Sequence, residues 1–283
     1  MNAPVFPKNL LLLLRGLSFL LFAGWAWQAL RWGLPLRSFF WDQSLMEGPV
    51  ALLFGMDWRS WAGSARVDGT IRGLEVALGM LFLLAAAVSL LARKKGWGLR
   101  LLQAGSLGLL LIFLLLWKER YFQIGQLLEH SIQFSLALFL AWVLSANPSP
   151  TQLIFPLKLV IALTFLGHGL YALGVHPVPG NFVQMTLNIL PFNEAQAFLY
   201  LKVAGILDMV MILGLFWKGK EKWFLWYGIL WGFLTAFARV ASGFSMDFPL
   251  DSLGAWLHET LYRLGHGGIP LLLWLMLSEK KED

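Results

Sequence analysis

KLVIALTFLGHGLYAL, residues 158–173, decides the architecture, because its pattern already occurs 143 residues earlier as RGLSFLLFAGWAWQAL, residues 15–30. Each stretch opens on one basic residue and continues almost without polar groups. Phe165 answers Phe22, Gly167 answers Gly24, and Ala172-Leu173 answers Ala29-Leu30. His168 stands where the earlier stretch has Trp25. A titratable imidazole between two glycines is costly in hydrocarbon and poor helix material, so its presence needs a reason.

The parallel extends outward in both directions. Gly79–Trp97 matches Gly205–Trp223 at a constant offset of 126, and the sequence around His130 matches that around His266. Three matches in one order predict a tandem duplication, with a first four-helix unit over 1–147 and a second over 148–283. An even number of spans per unit makes the two parallel, related by an axis along the membrane normal. The NPSP segment at 147–150 is the expected joint.

Composition gives the solvent. The chain has 283 residues, 58% of them hydrophobic and 13% charged, with a mean hydropathy of +0.66. Soluble domains carry roughly 25% charged residues. Apolar stretches near 10–31, 70–92, 98–117, 122–144, 154–174, 195–217, 223–241 and 255–278 approach or reach the ~20 residues that cross a hydrocarbon core. The expected fold is therefore an all-α polytopic membrane bundle of about eight transmembrane helices. The first stretch lacks a clear small-residue cleavage site and runs on too long for a signal peptide, so it reads as a retained span.

Lys8, Arg93, Lys94, Lys95, Arg100, Lys218, Lys220, Lys222, Lys280 and Lys281 fall on one side of such a topology. Short lysine-rich loops mark the cytoplasmic face, so both termini are expected in the cytoplasm, in a bacterial inner membrane. The net charge of +6 is explained by those span ends and does not point to nucleic acid. With no cysteine, thiol catalysis, disulfides, zinc-thiolate and iron–sulfur sites are excluded.

Phe165 with the His168-Gly169 pair, the basic residue that opens their helix, and the glycine-bearing KVAGILDMVMILGLF that follows resemble the DoxX-like four-helix membrane proteins. The likeness covers about 150–280 best. The four-span outline with its long outer loop also resembles parts of the HTTM or vitamin-K-carboxylase-like proteins. The DoxX-like resemblance implies quinone-linked membrane redox chemistry, as a subunit or accessory with redox partner subunits.

Intramembrane ionisable groups carry the strongest functional signal, since each is costly unless paired or facing a wet cavity. His168, Asp208 and His266 are the expected reactive groups. His258, Glu259, Tyr262, Arg263, Arg239 and Lys202 are the expected ligand-binding groups around them. Glu259, Arg263 and His266 are spaced i, i+4, i+7 and share a face of a continuous helix, placing His266 about 12 Å deeper than His258. His266 then needs a partner at its depth, and Asp208 and His168 are the candidates. Pro270 is expected to kink this span.

A pocket for a quinone or a lipid headgroup accounts for these groups most economically. Bis-histidine haem ligation is a less economical alternative, and no metal ligand set is assigned. A transporter is a further alternative, although the sequence shows no clearly broken helices in matching positions. So is a structural subunit that docks through two outer loops, 37–63 and 176–193. If the halves are duplicates, the loss of a histidine at Trp25 makes the later half the working one.

Overall fold

The computed structural model describes residues 6–94 and 96–279; Lys95, Lys280 and Lys281 of the expected basic face lie outside them. The described residues form helices and no strands. Seven helical segments are long and apolar enough to cross a membrane: Lys8–Trp32, Ala65–Leu91, Trp97–Glu119, Ile124–Ala146, Pro150–Ala172, Glu194–Leu215 and Glu221–Gly243. The eighth expected stretch is helical but divided, as Pro249–Arg263 and Gly265–Glu279. At 1.5 Å per residue each 15-residue piece is about 22 Å long, short of a ~30 Å core.

In chain order, α1 (Lys8–Trp27) runs into a π-helical turn, Gln28–Trp32. Three short helices follow, α2 (Arg37–Phe40), α3 (Gln43–Phe54) and α4 (Trp58–Ala62). Then come α5 (Ala65–Leu91), α6 (Trp97–Glu119), the single turn α7 (Ile124–Leu128) and α8 (Ser131–Ala146). The later half comprises α9 (Pro150–Ala172), the short α10 (Gly180–Ile189), α11 (Glu194–Leu215), α12 (Glu221–Gly243), α13 (Pro249–Arg263) and α14 (Gly265–Glu279).

Local chemistry sets many of these ends. Asp42, Asp57, Ser64 and Asn193 accept hydrogen bonds from first-turn N–H groups of α3, α4, α5 and α11. At the joint, Asn147 ends α8 in the left-handed conformation, φ 46°. Ser149 and Gln152 then form a capping box, and Pro150 supplies the first residue of α9.

Helices pair in the same order in both halves. In the first, α1 packs on α5, α5 on α6, α6 on α8 and α8 on α1; in the second, α9 packs on α11, α11 on α12, α12 on α14 and α14 on α9. A Cβ added to Gly79 would meet Leu30 and Ala29, and one added to Gly205 would meet Leu173 and Ala172. The halves join through α1 against α13 and α14, and through α7 and α8 against α9.

These junctions depend on glycine. Gly24 lets α1 lie on the His258–Tyr262 turn of α13, while Gly167 lets α9 lie on the Gly125–Glu129 turn. Small residues at such crossings let helix backbones approach closely. The peripheral helices α5, α6, α11 and α12 expose leucines and other apolar side chains outward, among them Leu84, Leu107, Leu213 and Leu230. An apolar exterior of this extent suits lipid and not water, and the chain is an integral membrane protein.

Candidate functional site

Two cavities adjoin near the end of the bundle that carries α2–α4 and α10. The larger, about 430 Å³, lies between the halves and is lined by Gln126, Glu129, His130, Arg239, Glu259, Tyr262 and Arg263, among others. Its mouth includes the exposed residues Trp32, Glu119, Arg120 and Asn181. The smaller, about 360 Å³, lies within the later half. Its walls are mostly apolar, with Phe165, Met185, Leu201 and Trp231 among them, yet His168, Asp208, Arg239, Arg263 and His266 all reach it. Arg239, Arg263 and Phe182 of α10 border both cavities.

Two helix breaks build this region. The fourth span is interrupted between α7 and α8 at Glu129-His130, and Thr164 Oγ1 accepts the hydrogen bond of Ile132 N–H at 3.0 Å. The last span is interrupted at Leu264, two residues before His266. Pro270 lies inside α14 without breaking it, so the expected kink sits six residues earlier. Gly265, Gly267 and Gly268 weaken the helix at that point and let a neighbour approach closely. Gly232 of α12 comes so near that an added Cβ would fall 2.5 Å from Gly267 N and His266 C, so the start of α14 lies against the backbone of α12. The continuous stripe assumed for Glu259, Arg263 and His266 therefore stops at Arg263. The matching helix breaks, which the sequence did not reveal, are present.

Each break orients a histidine. His130 Nδ1 lies 2.7 Å from Gln126 O, and His266 Nδ1 lies 2.9 Å from Arg263 O. Next to a carbonyl oxygen the ring nitrogen carries the proton, which leaves Nε2 of each ring to other partners. Of the two partners considered for His266, His168 is its ring neighbour, at 5.3 Å between centroids and 56° between planes. Among the described residues no group of three His, Asp or Glu side chains is placed to hold a metal ion.

Charge is shared in two knots. Glu259 bridges Arg263 at 3.1 Å and Arg239 at 3.4 Å, so one carboxylate serves two guanidiniums. Glu129 accepts a 2.9 Å hydrogen bond from Gln126 and stands 3.6 Å from His168 Nδ1 and 3.8 Å from His130 Nδ1. Arg239 Nε is buried without a hydrogen-bond partner. Asp208, 1% exposed, accepts a 2.8 Å hydrogen bond from Tyr227 OH. Among the described residues no ion pair joins Asp208 to Lys202 or to Arg239, and the carboxylate partner of Arg239 is Glu259.

His168, Asp208, His266, Arg239, Arg263, Glu259 and Tyr262 thus all come to the two cavities. Lys202 does not: it lies on the exposed face of α11, away from both. His258 is buried nearby but apart, with Nε2 2.8 Å from Gln28 Oε1 and its ring beside Trp27 and Trp32. It braces α13 against the π-helical turn after α1. Tyr262 stacks on Trp25 at 4.6 Å and carries the Arg263 guanidinium over its ring.

Sequence reasoning gave Glu129 no place in the reactive set and did not find Tyr227, Gln126 or Phe182. Glu129 carried a signal, as an acid inside an apolar span, but nothing local said that it would meet the other half. Tyr227 lies among aromatic residues that read equally well as lipid-facing.

The two outer segments have different fates. Residues 37–63 form α2–α4, tied down by Lys118 to Asp42 at 2.6 Å and by Trp61 Nε1 donating to Phe40 O. Residues 176–193 supply α10, which packs on α11 and α12 and covers the smaller cavity with Met185, Thr186 and Ile189. Comparison of the chain with protein-family models, with curated proteins and with solved structures found no match.

Proposed function

We propose that this chain is a quinone-linked redox subunit or accessory of a bacterial inner membrane, built from two DoxX-like four-helix units. Its ligand cavity faces the non-cytoplasmic side. One observation carries the reading: an apolar chamber at the edge of the bundle receives five ionisable side chains from α9, α11, α12, α13 and α14. Apolar walls suit a ring and its hydrocarbon tail, while the arginines and imidazoles suit a carbonyl oxygen that gains charge and protons.

The common order of helix pairing and the like contacts of Gly79 and Gly205 support reading the halves as copies. On that reading Trp25 and Phe82 occupy the places of His168 and Asp208, since 168 − 143 = 25 and 208 − 126 = 82. Phe22 and Phe82 stack there at 6.1 Å, an apolar contact at the place where the later half has Phe165 and Asp208. Lys94, Arg100, Lys218 and Lys220 at the opposite end support a cytoplasmic location for that face.

The experiment is extraction of the detergent-purified protein with organic solvent, and identification of bound quinone by absorption and mass. Stoichiometric quinone, lost in Arg263→Leu, is expected. A folded preparation that yields no quinone, and whose tryptophan fluorescence is unchanged by decylubiquinone, overturns the reading.

The paired helix breaks favour a second reading, a permease, because secondary transporters build substrate sites from discontinuous helices in matching positions. The chain lacks cysteine, so single cysteines report access directly. Under the permease reading, a cysteine at Phe182 and one at Phe165 are labelled by an impermeant maleimide from opposite sides of sealed vesicles. Labelling from one side alone removes this reading.

A further inference from the structure

The wall between the two cavities is crossed by one carboxylate–imidazole contact. Glu129 lines the larger cavity and not the smaller; His168 lines the smaller and not the larger; their Oε2 and Nδ1 atoms are 3.6 Å apart. The two residues come from different halves and are brought together by the Gly167 crossing, where α9 lies on the Gly125–Glu129 turn.

We propose that Glu129 and His168 form a proton path from the solvent-open cavity to the ligand of the apolar one; this rests on the quinone reading above. The larger cavity opens through exposed Glu119, Arg120 and Asn181, so water reaches Glu129. The smaller is lined mainly by hydrocarbon, and a proton needed there has to arrive through side chains. A protonated Glu129 passes its proton to His168 Nδ1, and the ring releases the proton on Nε2 to a ligand oxygen. Solvent then reprotonates Glu129, and rotation of the His168 side chain turns its protonated nitrogen toward the ligand before the second transfer. A quinone that takes two electrons from a one-electron carrier protein, and two protons by this route, leaves as the hydroquinone.

The surroundings suit transfer in both directions. Gln126 of α7 hydrogen-bonds Glu129; Arg120, Arg239 and Arg263 are the charged groups that act on it, and His130, at 3.8 Å, and Tyr171 are its further titratable neighbours. His168 is faced by His266 of α14 and Phe182 of α10, with Arg239, Arg263 and His130 as its further charged or titratable neighbours. Neither member of the pair is locked in a short ion pair. A 3.6 Å gap closes with a small rotation of either side chain.

The test is electrochemically driven infrared difference spectroscopy of the full-length protein with decylubiquinone bound, binding being verified first by tryptophan fluorescence. On reduction, a carboxyl band is expected in the wild type. It should be absent in Glu129→Gln and retained in Glu119→Gln, which removes a carboxyl from the same cavity that does not touch His168. Protonation of the reduced ligand should slow roughly 10²-fold in Glu129→Gln and in His168→Gln, as expected when a positioned acid is lost. No binding by the wild type overturns the ligand reading. Normal binding with an unchanged band and rate in Glu129→Gln and in His168→Gln overturns the proton path alone.

Discussion

Gly167 touches the turn that holds Glu129: a methyl group added to this glycine would lie 2.7 Å from Gly125 O and 2.9 Å from Glu129 Cα. The position of an ionisable group in one half thus depends on the absence of a side chain in the other. Gly167→Ala should cost about 1–3 kcal/mol, the usual range for overpacking a tight contact, and should move Glu129 away from His168. Gly16→Ala, where nothing lies within 4 Å, should be neutral or slightly stabilising. Thermal unfolding in detergent checks both; equal midpoints for the two variants would contradict the crossing described here.

Tyr227 is the hydrogen-bond donor to Asp208, and the same hydroxyl reaches Ala204 O at 3.2 Å. Tyr227→Phe should therefore destabilise the protein by about 1–3 kcal/mol, the cost of leaving a buried polar group without its partner. Asp208→Asn keeps an acceptor for the hydroxyl and should fold with a smaller loss than Asp208→Leu. Denaturation midpoints of the three variants give the ranking, and a fully tolerated Tyr227→Phe would remove the tyrosine from the site.

Glu259 holds two guanidiniums at once. Glu259→Gln leaves Arg239 and Arg263 facing each other and should cost toward the low end of about 3–5 kcal/mol, because the carboxylate keeps some exposure. Adding Arg239→Gln should recover part of that loss. A double-mutant cycle reads the coupling, and strict additivity would show that the three charges do not interact.

Asp42 fastens the α2–α4 cover to Lys118. The lysine hydrogen bond, and then that of Ser44, hold its carboxyl at about 2, below the ordinary aspartate value of about 3.9. A depressed carboxyl pKa contributes stability in full above the ordinary value and loses it as pH falls toward the folded value. The cover should stay docked at neutral pH and loosen between about pH 4 and pH 2. In Asp42→Asn it should be looser at neutral pH but still held by Lys118 to Ser38 O and by Arg37 to Asp68 and Glu75, and the Asp42 contribution to the change in that window should be gone. Fluorescence of the nearby Trp41 and Trp61 during acid titration follows both.

Lys202 and His258 provide contrasting controls. Lys202→Ala should leave stability and ligand content unchanged, because the side chain lies outside both cavities. His258→Ala removes the 2.8 Å contact with Gln28 and should lower the unfolding midpoint without changing the identity of any bound ligand. Loss of ligand in Lys202→Ala would place the binding site elsewhere.

Helix spans were legible in the chain because lipid imposes a local requirement: a crossing segment must be apolar over about 20 residues and satisfy its own backbone. The expected ends fall within five residues of those observed for the seven spans long enough to cross a membrane. The pairing of Gly79 with Gly205, and of Ala29-Leu30 with Ala172-Leu173, could also be read from spacing, and those residues make like contacts. Depth was equally accessible, since position along a span gives it; that is why His168, Asp208 and His266 could be placed at one level.

Rotation about the helix axis was not accessible. In water a polar face and an apolar face tell the two sides of a helix apart, but here both lipid and protein interior are hydrocarbon, and the pattern has little amphipathic contrast. Only packing decided that Lys202 turns outward, that Tyr227 turns in to Asp208, and that Glu129 reaches across to His168. The break at Leu264 adjoins a crossing of the same kind, where Gly232 of a neighbouring helix lies close to the His266-Gly267 backbone, a contact that the sequence of its own span does not show.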